Sequence, residues 1–182
     1  MEYLEKYKIR ITGYAGSGKS YFCEKLQALG YRAFDADSIP ELSMWVDKKT
    51  LQPDDINSNS DADWLKNHMW VWDKKYLKKF LDHEDKVILM GMCRNEQDEE
   101  ISGLFDHTFY LDPADADIVN GLKSEFRTNY FGKEKYQFDY AIQELPSYKK
   151  QIPRNWVALK TRDDAMALVN EIEGISGYML EQ

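Results

Sequence analysis

The chain has 182 residues, enough to bury one sizeable core and short for two ordinary domains. Its 43% hydrophobic and 14% aromatic content, with 5 Pro and 10 Gly, excludes the polar, aromatic-poor make-up of disordered chains. With 24 basic against 32 acidic side chains the net charge is −8, which opposes duplex wrapping or docking on an anionic membrane, because both need a phosphate-neutralising surface.

The opening Met1–Lys8 lacks the apolar stretch of a signal peptide, and no run of about 18 apolar residues could span a bilayer, so a cytoplasmic location is expected. An apolar run at Tyr7–Thr12 reads as a strand. The helix expected from Lys19 buries Phe22, Leu26 and Leu29 and meets Gly30, suited to a left-handed C-cap; a second strand follows at Tyr31–Phe34. The polar stretch 48–63 reads as a surface loop or a flap at a site. From Asp61 to Leu81, Leu65, Met69, Trp72, Tyr76 and Phe80 recur at steps of four and three, which predicts one long amphipathic helix. Strands are predicted at Val87–Met90 and Thr108–Leu111. Asp112 is then expected to cap a helix opened by Pro113, with Ile118, Val119, Leu122 and Phe126 as its apolar stripe. Phe138, Ile142 and Leu145 form another stripe that Pro146 should end. A weaker strand at Trp156–Leu159 and a helix carrying Met166, Val169 and Ile172 complete the chain. Alternation of strands and helices implies parallel pairing through right-handed crossovers. The expected fold is α/β in three layers, an open parallel sheet of about five strands with helices on both faces. No repeat or linker marks a boundary, so residues 1–182 are read as one domain. Cys23 and Cys93, the two cysteines, sit in apolar contexts and are expected as reduced core thiols.

Gly13-Tyr14-Ala15-Gly16-Ser17-Gly18-Lys19-Ser20 fits G-x-x-x-x-G-K-[ST] at every fixed position, directly after a strand and directly before a helix. Such a P-loop frees backbone N–H groups to wrap phosphate oxygens at a positive helix end, so a nucleoside triphosphate is the expected guest. Gly13, Ala15, Gly16, Ser17, Gly18, Lys19 and Ser20 are the candidate nucleotide contacts, with Lys19 on the β and γ phosphates and the Ser20 hydroxyl on Mg²⁺. Asp stands three residues before none of the 10 glycines, so the D-x-x-G of a guanine switch is missing. The third strand lacks the closing acidic pair of motor ATPases and runs into Gly91-Met92-Cys93-Arg94-Asn95. The second strand delivers Asp35 and Asp37 at its C-terminal end, where open α/β sheets build their sites.

With L-G-x-x-x-x-D-x-D after the P-loop, the sequence resembles the P-loop small-molecule kinases, the group that includes dephospho-coenzyme A, shikimate, gluconate and nucleoside monophosphate kinases. The resemblance implies ATP and Mg²⁺ as cofactors, Asp35 supporting the metal together with Ser20, and Asp37 orienting or deprotonating an acceptor hydroxyl. Either carboxylate could instead cap a helix near Ser38. It further implies an acceptor-binding segment over about 38–82 and a lid over about 127–136, where Arg127 closes on the transferred phosphoryl group or serves only as a basic turn. Arg94 falls where related kinases hold an anionic group of the acceptor, beside Asn95, a candidate donor or a turn former. Two departures stand out: Tyr21 replaces a second hydroxyl residue and is expected to pack inside, and Gly121 and Lys123 stand where a further lid arginine often lies. Trp45, Trp64 and Trp70 offer ring faces in the acceptor segment, whereas Trp72 reads as core. By the resemblance, the Arg127 side chain and the loop after the fifth strand, near Thr161 and Arg162, would flank the nucleotide base. The implied activity is transfer of the ATP γ-phosphate to a small-molecule acceptor, nucleosides or nucleotides leading. A polynucleotide 5′-hydroxyl kinase and an ATP-binding regulator without turnover are the alternatives, the former opposed by the acidic balance.

Overall fold

Apolar β-branched and aromatic runs too short for helices become strands wherever they can be covered on both faces. The computed structural model of the protein describes residues 6–94, 99–127, 129–154, 156–161 and 163–168. In chain order its elements are β1 (Tyr7–Gly13), α1 (Lys19–Ala28), β2 (Ala33–Asp35), a 3-10 turn (Ala36–Ser38), β3 (Ser43–Asp47), α2 (Ala62–Asn67), β4 (His68–Trp72), α3 (Lys74–Asp82), β5 (Lys86–Met90), α4 (Glu99–Ser102), β6 (His107–Leu111), α5 (Asp115–Lys123), α6 (Lys135–Gln151) and β7 (Val157–Leu159). Residues 163–168 are helical. The five expected strands pair in parallel in the order β2-β5-β1-β6-β7, and β3 pairs with β4 in a separate antiparallel ribbon.

The core follows from strand alternation. On β5, Ile88 and Met90 face α1 with Phe22 and Leu26, while Val87 and Leu89 face α3 with Leu77 and Leu81. A third apolar layer joins α5 and α6 over the far half of the sheet through Ile118, Leu122, Ala141 and Leu145. Both cysteines are buried thiols outside any disulfide, Cys93 accepting from the Arg10 guanidinium. No helix among the described residues is long and apolar enough to cross a membrane.

Four local expectations give way. The helix over 61–81 is two helices around a strand. Asp61 caps α2 by accepting from Asp63 and Trp64 N–H, Asp73 caps α3 by accepting from Tyr76 N–H, and the aromatic, β-branched His68–Trp72 between them pairs with Ser43–Asp47. Asp112 caps no helix: α5 begins after Ala114 with no side-chain cap, and Asp112 is drawn into ion pairs with Lys149 and Lys160. Phe126 lies beyond the end of α5 and is 95% exposed. Pro146 does not stop α6, because Leu145 and Tyr148 on its inner side are buried while the proline faces solvent, where water can serve the carbonyl it leaves unpaired. Gly30 does take the left-handed conformation (φ 88°) just past α1, although Leu29 is exposed. Val169 and Ile172 lie outside the described residues.

Candidate functional site

Residues 13–20 turn from the C-terminal end of β1 into α1. The glycines are required by geometry. A Cβ on Gly13 would meet the Leu111 carbonyl at 2.9 Å, one on Gly16 would meet the Ile118 carbonyl at 2.5 Å, and Gly18 is left-handed at φ 91°. Gly18 is also the N-cap of α1 and offers no side chain to the first turn, so the helix opens on backbone donors. Ala15 is half-buried in the loop, and the Ser17 hydroxyl is buried with no partner among the described residues. Lys19 folds back over the loop, its Nζ donating to the Gly13 carbonyl at 2.6 Å and the Tyr14 carbonyl at 3.0 Å. Ser20 Oγ donates to Asp35 Oδ2 at 2.6 Å. A hydroxyl and a carboxylate within one ion's reach are the hard oxygen donors that Mg²⁺ takes alongside phosphate and water, so the residues present fit that ion. Tyr21 is 47% exposed, with Lys25 over its ring, and does not pack inside as expected.

Asp35 also meets the capping reading, because its Oδ1 accepts the Asp37 N–H at 3.1 Å and starts the 3-10 turn. Asp37 then stands exposed in the 3-10 turn just past the C-terminal end of β2. Its Oδ1 accepts from Trp70 Nε1 at 3.2 Å and its Oδ2 from Asn129 Nδ2 at 2.9 Å. Desolvation by surrounding protein, then the charge of Asp35, raises its carboxyl above the usual range, while Lys19, the Trp70 bond and Arg127 act against that rise. Arg127 donates to the Phe131 carbonyl; burial lowers its guanidinium and Asp37 opposes the change. Lys19, Asp35, Asp37 and Arg127 therefore share one electrostatic neighbourhood, built from α1, β2 and the loop after α5.

Arg94 enters from the end of β5. Its amide donates to the Trp70 carbonyl at 2.7 Å, and its guanidinium meets Glu144 at 3.0 Å and the Tyr140 hydroxyl at 3.4 Å on α6. Burial opposes its charge, but Tyr140 and Glu144 hold the guanidinium above its ordinary value. The expected anion holder thus already carries a carboxylate partner. Trp45 is the hub of the aromatic group, with Trp64, Trp70 and Phe131 at ring centroid distances of 5.3, 5.5 and 5.8 Å. Trp72 is core, beneath the Arg10 guanidinium at 4.7 Å. His68 is buried, stacked on Trp64 at 3.8 Å and bonded through Nε2 to Asp54 at 2.9 Å, which anchors the polar stretch 48–63 to the ribbon. Asn95 and Arg162 lie outside the described residues.

Asn129, Phe131, Tyr140 and Glu144 received no role from the sequence. Asn129 lies two residues from Arg127 in the expected lid, a signal that pointed to the loop but not to that side chain. Tyr140 and Glu144 are four apart on one helix face, yet nothing in their pattern names Arg94 as the partner.

Neither a protein-family model nor a curated protein sequence matches the chain. Solved structures do. A shikimate kinase from Bacteroides thetaiotaomicron is similar at TM-score 0.56 and 15% identity, covering 97% of this chain and 99% of that one. A gluconokinase from Sinorhizobium meliloti 1021 gives 0.53 and 17%, covering 97% and 98%. A sugar kinase from a Janibacter species gives 0.50 and 12%, covering 93% and 95%. The fold over nearly the whole chain is that of the P-loop small-molecule kinases.

Proposed function

We propose that the protein is an ATP-dependent phosphotransferase that moves the γ-phosphate to a hydroxyl of a small-molecule acceptor, most favourably a nucleoside or nucleotide. The observation that carries this reading is the convergence of a complete P-loop, the Ser20–Asp35 pair and Asp37 at one end of the sheet. The loop N–H groups and the start of α1 bind the nucleotide phosphates. Lys19, released from the Gly13 and Tyr14 carbonyls, neutralises charge on the β and γ phosphates. Ser20 and Asp35 hold Mg²⁺, which supplies charge neutralisation on the phosphate oxygens when bound. Asp37 accepts the hydrogen bond of the acceptor hydroxyl and takes its proton, and its raised carboxyl is better suited to that task than an ordinary surface aspartate. Arg127 meets the charge of the transferred group from the lid over about 127–136. On this reading the acceptor segment is about 38–82, where Trp70 bonds Asp37 and Trp45 packs edge-on against Trp70, and these flat apolar faces favour an acceptor carrying a ring. Catalysis on this reading is positioning and electrostatics, with no covalent intermediate on the protein.

The test is ADP release from ATP and Mg²⁺ against nucleosides, nucleoside monophosphates, dephospho-coenzyme A, shikimate and gluconate. At least one compound should stimulate release, and Asp37→Asn should cut that stimulated rate by about 10²-fold or more while ATP binding persists. ATP binding without stimulation by any compound would count for a nucleotide-binding regulator, and absence of ATP binding would overturn the reading.

A further inference from the structure

We infer that Glu144 is a specificity-determining residue: by holding the Arg94 guanidinium it turns the acceptor side of the site from an anion holder into a charge-matched pair, so the acceptor is an uncharged hydroxyl compound, a nucleoside above a nucleotide. The inference rests on the phosphotransferase reading for the acceptor and on geometry for the pair. Arg94 donates to Glu144 Oε2 at 3.0 Å across 50 residues, and to the Tyr140 hydroxyl at 3.4 Å. Side chains four apart on a helix share a face, so Tyr140 and Glu144 of α6 hold one guanidinium together. Trp70 joins this pair to Asp37: its carbonyl accepts the Arg94 N–H at 2.7 Å, while its Nε1 donates to Asp37 Oδ1 at 3.2 Å. The P-loop adjoins the same turn of α6. The Tyr14 hydroxyl donates to the Ala141 carbonyl at 2.8 Å; burial raises that hydroxyl, and the Arg94 charge opposes the rise.

An arginine without a carboxylate offers a fork of N–H donors and a full charge, which phosphates and carboxylates fit. Arg94 comes with that place taken. An incoming anion must displace Glu144 and then lie against a like charge, a repulsive element that discriminates as strongly as an attractive one. A neutral hydroxyl meets no such cost, because it can donate to a remaining lone pair of Glu144 and leave the ion pair intact. The two side chains are 24% and 31% exposed, open enough to be reached and sheltered enough that salt screens them little. Lys19 and Arg127 go to the nucleotide phosphates on this reading. Lys48, lowered by burial and then by the Arg94 charge, already donates Nζ to the Lys66 carbonyl.

Glu144→Gln keeps the shape of the side chain and an oxygen for Arg94 but frees the charge of the guanidinium. Matched acceptors separate charge from shape, since a nucleoside and its 3′-monophosphate carry the same ring and the same 5′-hydroxyl. With ATP and Mg²⁺ the wild type should give the nucleoside the higher kcat/KM. In Glu144→Gln the ratio of 3′-monophosphate to nucleoside should rise about tenfold, through KM, the weight of one hydrogen bond to a charged group. A wild type stimulated best by an anionic compound overturns the inference. So does a ratio unmoved in the variant, whatever its Tm, which would reduce the pair to a tie between the end of β5 and α6. A second readout needs no acceptor: sulfate binding followed by tryptophan fluorescence, with ADP and Mg²⁺ saturating the P-loop. Sulfate should bind Glu144→Gln about tenfold tighter than wild type, and the gain should vanish when Arg94→Gln is added; equal sulfate affinity overturns the inference. A sulfate gain in a protein from which no acceptor draws ADP upholds the masking of Arg94 by Glu144 and overturns the phosphotransferase reading instead.

Discussion

Gly121 shows how closely the nucleotide loop is built into the rest of the molecule. A Cβ at this position on α5 would lie 2.0 Å from the Gly16 carbonyl oxygen, and one on Gly16 would strike α5 in return at the Ile118 carbonyl. Two backbones meet where neither can carry a side chain, so the loop that should cradle phosphate rests directly on the helix leading to Arg127. Gly121→Ala sets two effects against each other. Alanine gains up to about 1 kcal/mol of helix propensity over glycine, while a clash with backbone atoms, which no rotamer relieves, costs roughly 1–3 kcal/mol. The clash should win. ATP affinity is expected to fall about tenfold and Tm to drop, read by nucleotide titration and thermal melting; an unchanged affinity would show that α5 yields without moving the loop. The sequence marked this position only by what it lacked, an arginine expected by resemblance. The reason for a glycine here is a tertiary contact, which no local pattern carries. By contrast the P-loop itself was legible, because its spacing of glycines, lysine and serine is a local pattern between strand and helix, even though Gly13 and Gly16 also answer to the distant Leu111 and Ile118 carbonyls.

At the scale of elements, the β3–β4 ribbon is where periodicity misled. Leu65 and Trp72 are buried as their spacing requires, but they belong to α2 and β4, which turn them inward at places that mimic a single helical stripe. The caps Asp61 and Asp73 carried the correction, since a capping carboxylate in the middle of a supposed helix marks a restart. Trp72 fastens the ribbon to the main sheet. It is 1% exposed, lies under Arg10 of β1, and its Cζ2 is so near Gly91 that a Cβ there would sit 2.7 Å away. Trp72→Ala is therefore expected to cost about 3–5 kcal/mol in urea denaturation, with the cation–π contact to Arg10 adding to the cavity. Because Trp70, which bonds Asp37, and Trp45, packed on Trp70, belong to the same ribbon, the variant should also blur any acceptor preference before ATP binding is affected. A loss under about 1 kcal/mol would mean that the ribbon is held to the main sheet elsewhere.

Across the whole molecule the carboxylates set the response to acid. Asp47, Asp63, Asp82 and Asp112 are all held below the usual carboxylate range, the first by N–H donors of Thr50 and Lys49, the next two by Lys66 and Lys78. Asp112 differs in what it joins. Burial alone would raise it, but hydrogen bonds from Lys160 and Lys149 outweigh that, and they tie the end of β6 to α6 and to the end of β7. Its side chain is only 18% exposed, whereas Lys160 is largely in solvent, so the cluster contributes about 1 kcal/mol and not the several expected of a sealed pair. The sign follows from the direction of the shift. A carboxyl lowered in the folded state adds stability at every pH above its unfolded value near 3.9, and that share is lost as pH falls through the lowered folded value. Asp112→Asn should thus be about 1 kcal/mol less stable than wild type at pH 7, with the two denaturation curves converging as the pH drops below about 4. A gap that persists into acid would assign the loss to the backbone at the β6–β7 edge, where Asp112 N–H bonds the Leu159 carbonyl, and not to charge. The acidic surplus acts in the same direction only below the isoelectric point near 5.0: from −8 the net charge first shrinks as carboxylates are protonated, and it turns positive, with repulsion among the 24 basic side chains, once more than eight of the 32 acidic ones are neutral, histidine counted as uncharged.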